Sequence, residues 1–367
     1  MNFQTPESFG KFLEYNINTY KRTILVIKGD KEFTEIIEDK IGAKQGAKKS
    51  APDFKLYNIP LDKLIKNSNL GYKCYGIDVG LLLVADDSMS IIPDIDSLKA
   101  IINLYVWYSK NYAVNFAFNK TIINVFGGDD ILEKIKNDPS ININGNIPLF
   151  DEITDHLGLK VCQNTKITAI TNVKLRIEKT NKKTLLIINN LTATRRKILK
   201  IDTARTLYTT YIKPSLISGL NALVLDDISK KALIDQEKYL LRKIFKFRPK
   251  ASTTPLYLIM GILPIMTSID QSKLALFHNM WIKPNNEMTK IMFNILNDNT
   301  SKKEYWITTV NSILEYYEIP NINELKNIQP PTKNAWKKYV KEKVINKMNE
   351  QYKEMISNMS SLKNLHI

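Results

Sequence analysis

The chain has 367 residues, 44% of them hydrophobic and 25% charged, which allows a sizeable core split over about two domains and excludes wholesale disorder. Its formal net charge of +16 points to a polyanionic partner, nucleic acid first. Its only cysteines, Cys74 and Cys162, and its three scattered histidines exclude a disulfide framework and a four-ligand Cys/His zinc site, and fit a reducing, intracellular setting.

The first element expected is a hairpin over 22–37, "RTILVIKGDKEFTEII", around Gly29-Asp30. Residues 53–66 have helical spacing, with Pro60 expected to kink or end the helix. "GIDVGLLLVADDSMSII" (76–92) reads as two strands around a tight turn. A helix follows over 96–112, with Asp96 as its N-cap, and then a strand over 113–128 bounded by glycines. "IPLFDEITDHLGLKVCQ" (147–163) predicts a second hairpin.

From about residue 166 the pattern becomes helical. Between Lys174 and Arg205 it carries ten basic residues against two acidic ones, Glu178 and Asp202. Residues 333–356 read as a basic amphipathic helix set off by Pro330-Pro331. The tryptophans Trp107, Trp281, Trp306 and Trp336 all fall in helical patterns and read as core. The N-terminus has no apolar signal-peptide region, and the longest apolar run, 256–266, is too short to span a bilayer, so no membrane association is expected.

The chemistry centres on Asp86-Asp87 inside "LLLVADDSMSII" (81–92). Two adjacent carboxylates repel unless a cation joins them, and hard oxygen ligands suit Mg²⁺ or Mn²⁺. Strand alternation sends the two side chains to opposite faces, with Asp86 the better placed for a metal. An Asp pair in a turn is common in itself, since Asp tolerates turn conformations and solvates well.

The surrounding motifs add specificity. "IGAKQG" (41–46) precedes the pair, and "NFAFNKTIINVFG" (115–127) and "DHLG" (155–158) follow it. That order resembles reverse transcriptases, most closely those of non-LTR, LINE-like retrotransposons. The resemblance runs over roughly residues 20 to 282, continuing through "LYTTYIKPSLISGLNAL" (207–223) and "EKYLLRKIFKFRPKASTTPLYLIMGILPI" (237–265).

The resemblance implies an α+β fold. Residues 1–165 would form a partial right-hand palm, 166–282 a helical thumb-like region, and 283–367 a helical basic extension. It implies that Asp86 and Asp87 hold the catalytic metal, that Lys120 lies near the incoming triphosphate, and that Gln45 and Gly46 meet the template-primer. His156, Leu157 and Gly158 would grip the primer, while Lys174, Arg176, Arg195, Arg196 and Lys197 track the nucleic-acid backbone. The implied partners are an RNA template, a DNA primer and a deoxynucleoside triphosphate.

The family's pattern also departs here. Its first catalytic-aspartate strand and its fingers are not recognisable upstream of "IGAKQG", and Lys48-Lys49 stand where an apolar contact is usual. Two functions therefore stand side by side. One is template-directed nucleotidyl transfer, completed by a separate N-terminal palm-and-fingers chain. The other is a non-catalytic nucleic-acid-binding remnant.

Overall fold

The computed structural model describes residues 55–84, 87–112, 114, 116–126, 128–143, 145, 147–193, 200–298 and 305–358. It is a mixed α+β structure with small antiparallel and parallel sheets and a largely helical C-terminal region. Contacts divide the chain into two units, one ending at Phe118 and also taking 139–146, the other taking 119–138 and 147–367.

In the first unit, helix α1 (Ile59–Ser68) is followed by hairpins β1 (Lys73–Cys74)–β2 (Ile77–Asp78) and β3 (Leu81–Val84)–β4 (Asp87–Ser90), then by helix α2 (Ile95–Tyr112). Pro60 opens α1 instead of kinking or ending it. It sits in the first turn, where its missing N–H has no carbonyl to lose. The expected N-cap of α2 moves from Asp96 to Asp94. Its carboxylate accepts the Ser97 amide at 2.8 Å and the Ser97 hydroxyl at 2.9 Å, and these bonds hold its carboxyl below the usual range.

The two hairpins meet at a glycine pair. A Cβ on Gly80 would lie 2.3 Å from the Gly71 Cα, so neither position admits a side chain. The contact lets Tyr72 N–H reach the Ile91 carbonyl at 2.9 Å, and Ile91 N–H reach that of Gly80 at 3.0 Å. Leu61, Ile65, Ile101 and Tyr108 form the buried centre, with Leu81, Leu83, Leu104 and Tyr105 packed around it. Trp107 departs from the core expectation and is 47% exposed. The buried stripe of α2 runs through Ile101 and Tyr108, and Trp107 falls off it.

In the second unit, β5 (Ile122–Ile123), α3 (Asp129–Lys136) and β6 (Leu149–Phe150) precede the hairpin β7 (Ile153–His156)–β8 (Leu159–Cys162). The strand expected over 113–128 shrinks to β5. A strand extends only as far as a partner's backbone, and β6, parallel to it, supplies two residues. The predicted 147–163 hairpin forms, with Ile153 opposite Cys162 and His156 opposite Leu159.

Helix α4 (Thr165–Ala193) then begins at Asn164, whose side chain accepts the Lys166 amide at 2.7 Å. It is followed by α5 (Ile201–Leu207), a π-helical turn (Tyr208–Ile212), α6 (Lys213–Ile217), α7 (Asp227–Ile244), α8 (Thr254–Met260) and α9 (Ile265–Trp281). The last elements are α10 (Glu287–Asn297), α11 (Trp306–Tyr316), α12 (Ile322–Leu325) and α13 (Lys333–Asn358). One apolar cluster reaches from Ala169 on α4 to Tyr352 on α13 and includes Trp281 and Trp336, with Trp306 packed against it. Among the described residues no helix is long and apolar enough to cross a membrane.

Candidate functional site

The β3–β4 hairpin pairs Leu81 with Ser90, Leu82 with Met89, Leu83 with Ser88 and Val84 with Asp87. That register leaves Ala85 and Asp86 as the connection, and both lie outside the described residues. Residues directly opposite in an antiparallel pair share a face. Leu81 and Leu83 pack towards α1 and α2, and Ser90 on the same face meets the Tyr105 hydroxyl at 2.9 Å. Asp87, Val84, Leu82 and Met89 therefore share the face turned from the helices, with Asp87 and Val84 exposed.

An exposed carboxylate at a hairpin tip is a hard-oxygen donor of the kind that suits a divalent cation. Among the described residues no three His, Cys, Asp or Glu side chains gather into a metal-holding group, and Asp86 is not one of those residues. Gln45, Gly46, Arg195, Arg196 and Lys197 also lie outside the described residues, as does the expected 22–37 hairpin.

The second unit brings His156, Leu157 and Gly158 together at the tip of β7–β8. Leu157 and Gly158 have φ of 51° and 77°, the two positive values that a type I′ two-residue turn requires. Gly is at ease there and leucine is strained, yet Leu157 is 56% exposed.

The hairpin is fastened to α4 from below. Fully buried Asn172 accepts the Lys160 amide at 2.9 Å and donates to the Lys160 carbonyl at 2.7 Å, replacing a missing neighbouring strand. The Thr168 hydroxyl accepts the Cys162 amide at 3.0 Å. Nearer the tip, the Arg176 guanidinium donates to the Gly158 carbonyl at 2.8 Å. Gly219, at φ 77°, lets Leu159 come so close that a Cβ would stand 2.7 Å from its Cδ2.

Of the expected backbone-tracking residues, Arg176 is thus partly committed to the hairpin, whereas Lys174 is exposed on α4. Lys179 and Lys182 are exposed on the same helix. Lys120 ends a 3₁₀ turn (Phe118–Lys120) rather than a strand, and it too is exposed.

Helical spacing gave no sign of the buried ionisable groups, which are fixed by partners far along the chain. Glu237, 1% exposed on α7, accepts the Tyr208 hydroxyl at 2.6 Å, the Tyr257 hydroxyl at 2.8 Å and the Ile265 amide at 2.9 Å. Lys213 reaches the Leu263 carbonyl, and burial pulls its ammonium down to about 8 against the attraction of Glu237. On α9, loss of hydration raises Asp270 to about 6, partly opposed by the Tyr317 hydroxyl bonded to it and by Lys273. Lys273 itself falls to about 8 through burial.

No protein-family model matches this chain, and no curated protein does.

Proposed function

We propose that the chain is a reverse transcriptase-like protein, its first unit a palm portion and the helices from α4 onward a thumb, acting on an RNA template and a DNA primer. The observation that carries this reading is the β3–β4 register. It pairs Val84 with Asp87, so that the x-A-D-D segment spans the β3–β4 connection, and puts Asp87 on the face turned from α1 and α2. A second hairpin with His-Leu-Gly at its tip follows in the family's order, fastened to a long helix with exposed lysines. Asp86 and Asp87 would hold a divalent metal, which when bound polarises phosphoryl oxygens and neutralises charge developing on them. Lys120 would offer its ammonium to the triphosphate, and Leu157 its apolar face to the primer end.

The test is extension of a labelled primer on an RNA template with Mg²⁺ and deoxynucleoside triphosphates, for the wild type and for Asp86→Ala and Asp87→Ala, each alone and mixed with a chain that carries the N-terminal palm and fingers. Nucleotide addition lost in both variants is the expected result. If the wild type adds nothing, or the variants extend as it does, the catalytic reading falls.

A second reading, a nucleic-acid-binding protein without catalysis, draws on the exposed basic side chains of α4, led by Lys174, Lys179 and Lys182. Binding through phosphates alone predicts a steep salt dependence that Asp86→Ala leaves unchanged and that Lys174→Ala with Lys179→Ala makes shallower. Filter binding at several salt concentrations separates the two.

A further inference from the structure

Residues 238–269 contain no acidic side chain, while Lys238, Arg242, Lys243, Lys246, Arg248 and Lys250 crowd its first half. Glu237, just before it, is buried and spent on two tyrosines and a backbone amide. The nearest exposed acid on α7 is Asp235, one turn before Tyr239. Attraction of cations to the carbonyl end of a helix accounts for Arg242 and Lys243 in the last turn. It does not account for Lys246, Arg248 and Lys250, which lie beyond the helix.

Two aromatic rings stand in this basic field. Tyr239 is 47% and Phe247 44% exposed, and Lys243 donates to the Tyr239 hydroxyl at 3.1 Å, at the edge of its ring. Phe247 sits on a built loop. Its amide closes the helix onto the Arg242 carbonyl at 2.9 Å, with Lys246 at φ 54° making the left-handed step of a Schellman motif. The Arg242 Nε then donates to the Ala251 carbonyl at 2.8 Å, and Ala251 N–H to that of Arg248 at 3.0 Å. An exposed ring on a backbone held by such bonds costs less to order when a ligand covers it.

We infer that the C-terminal end of α7 and the loop after it form a binding surface for single-stranded nucleic acid, with bases stacking on Phe247 and Tyr239 and phosphates meeting Lys246, Arg248 and Lys250. Bases inside a duplex have no free face, so stacking selects unpaired strands. A lipid surface fits less well, because no Leu, Ile, Val or Met accompanies Phe247 within 246–250 to enter an acyl layer. The inference rests on the nucleic-acid part of the proposed function and is independent of its chemistry.

The test uses the full chain and fluorescence anisotropy with a labelled twelve-nucleotide oligouridylate and an RNA duplex of equal length. Phe247→Leu keeps an apolar contact with Phe245 but removes the ring, and should weaken single-strand binding by about fivefold or more. It should leave duplex binding unchanged, and Phe247→Trp should restore the loss. Arg248→Ala with Lys250→Ala should reduce the salt slope on the single strand by about 1.4, at roughly 0.7 per phosphate. Wild-type binding that all these variants retain overturns this surface alone. A wild type that binds neither RNA overturns the nucleic-acid reading with it. Variants that lose phosphatidylserine vesicles and keep the oligouridylate would make the surface a membrane contact instead and overturn the inference.

Discussion

Asp270 receives the Tyr317 hydroxyl at 3.0 Å and lies within electrostatic reach of Lys273 and Lys230, yet loss of hydration outweighs all three and lifts its carboxyl to about 6 from an ordinary 3.8. The folded chain therefore holds a proton there that the unfolded chain releases between pH 4 and 6. The stability this proton confers is complete below about pH 3.8 and is lost as pH rises through about 6. At 1.36 kcal/mol per unit the loss is on the order of 2–3 kcal/mol. Asp270→Asn still accepts from Tyr317 but cannot ionise. It should therefore be more stable than the wild type at pH 7.5 and close to it at pH 4.5, with a flatter profile between. Denaturant midpoints at a series of pH values check this, and a variant less stable at pH 7.5 would show that the carboxylate's attraction to Lys273 outweighs its desolvation.

At the scale of elements, the β7–β8 hairpin sets a local rule against an apparent use. A type I′ turn favours Asn-Gly, and this one has Leu157-Gly158, with leucine both strained and exposed. Leu157→Asn should stabilise the hairpin by about 0.5–1 kcal/mol, since Asn enters the left-handed region at less cost. If Leu157 touches a primer, the same variant should bind template-primer more weakly, so that affinity and stability move in opposite directions. Unchanged affinity with raised stability would remove Leu157 from the proposed grip.

The attachment of that hairpin predicts the opposite sign. Asn172→Ala removes both bonds to the half-buried Lys160 amide and carbonyl and should cost about 1–2 kcal/mol, read from a denaturant midpoint. The β3–β4 and β7–β8 hairpins were legible in the sequence because strand-like runs flank a two-residue step, which leaves one register, Leu81 with Ser90 in the one and Ile153 with Cys162 in the other. The helix starts were blurred for local reasons. Pro60 is as good an opener as a breaker, and Asp94 and Asp96 differ as caps only in which one the Ser97 amide faces. Asn172 could not be singled out, because its worth lies in a strand edge twelve residues away that helical spacing does not encode.

Across the whole second unit, the last long helix is bound into the core. Trp336, Val340, Val344, Met348 and Tyr352 recur every four residues, forming the ridge that one helix lays into the groove of another, here against α9. The Trp336 indole N–H donates to the Leu274 carbonyl at 3.0 Å, and its ring stacks on His278 with centroids 5.5 Å apart. His278 in turn bonds through Nε2 to the Pro331 carbonyl at 2.8 Å, fixing the segment that leads into α13. The same α9 supplies the Ile265 amide to Glu237, so α13, α9 and α7 share one set of constraints. Trp336→Ala removes the ring, its bond and the support of His278, and should cost about 3–5 kcal/mol. Lys337→Ala, exposed one residue on, should change stability by less than about 0.5 kcal/mol. Because the loss falls on a shared core, hydrogen exchange in Trp336→Ala should quicken in α7 and α9 together with α13. Exchange quickened in 333–358 alone would make α13 an arm laid over a core that stands without it.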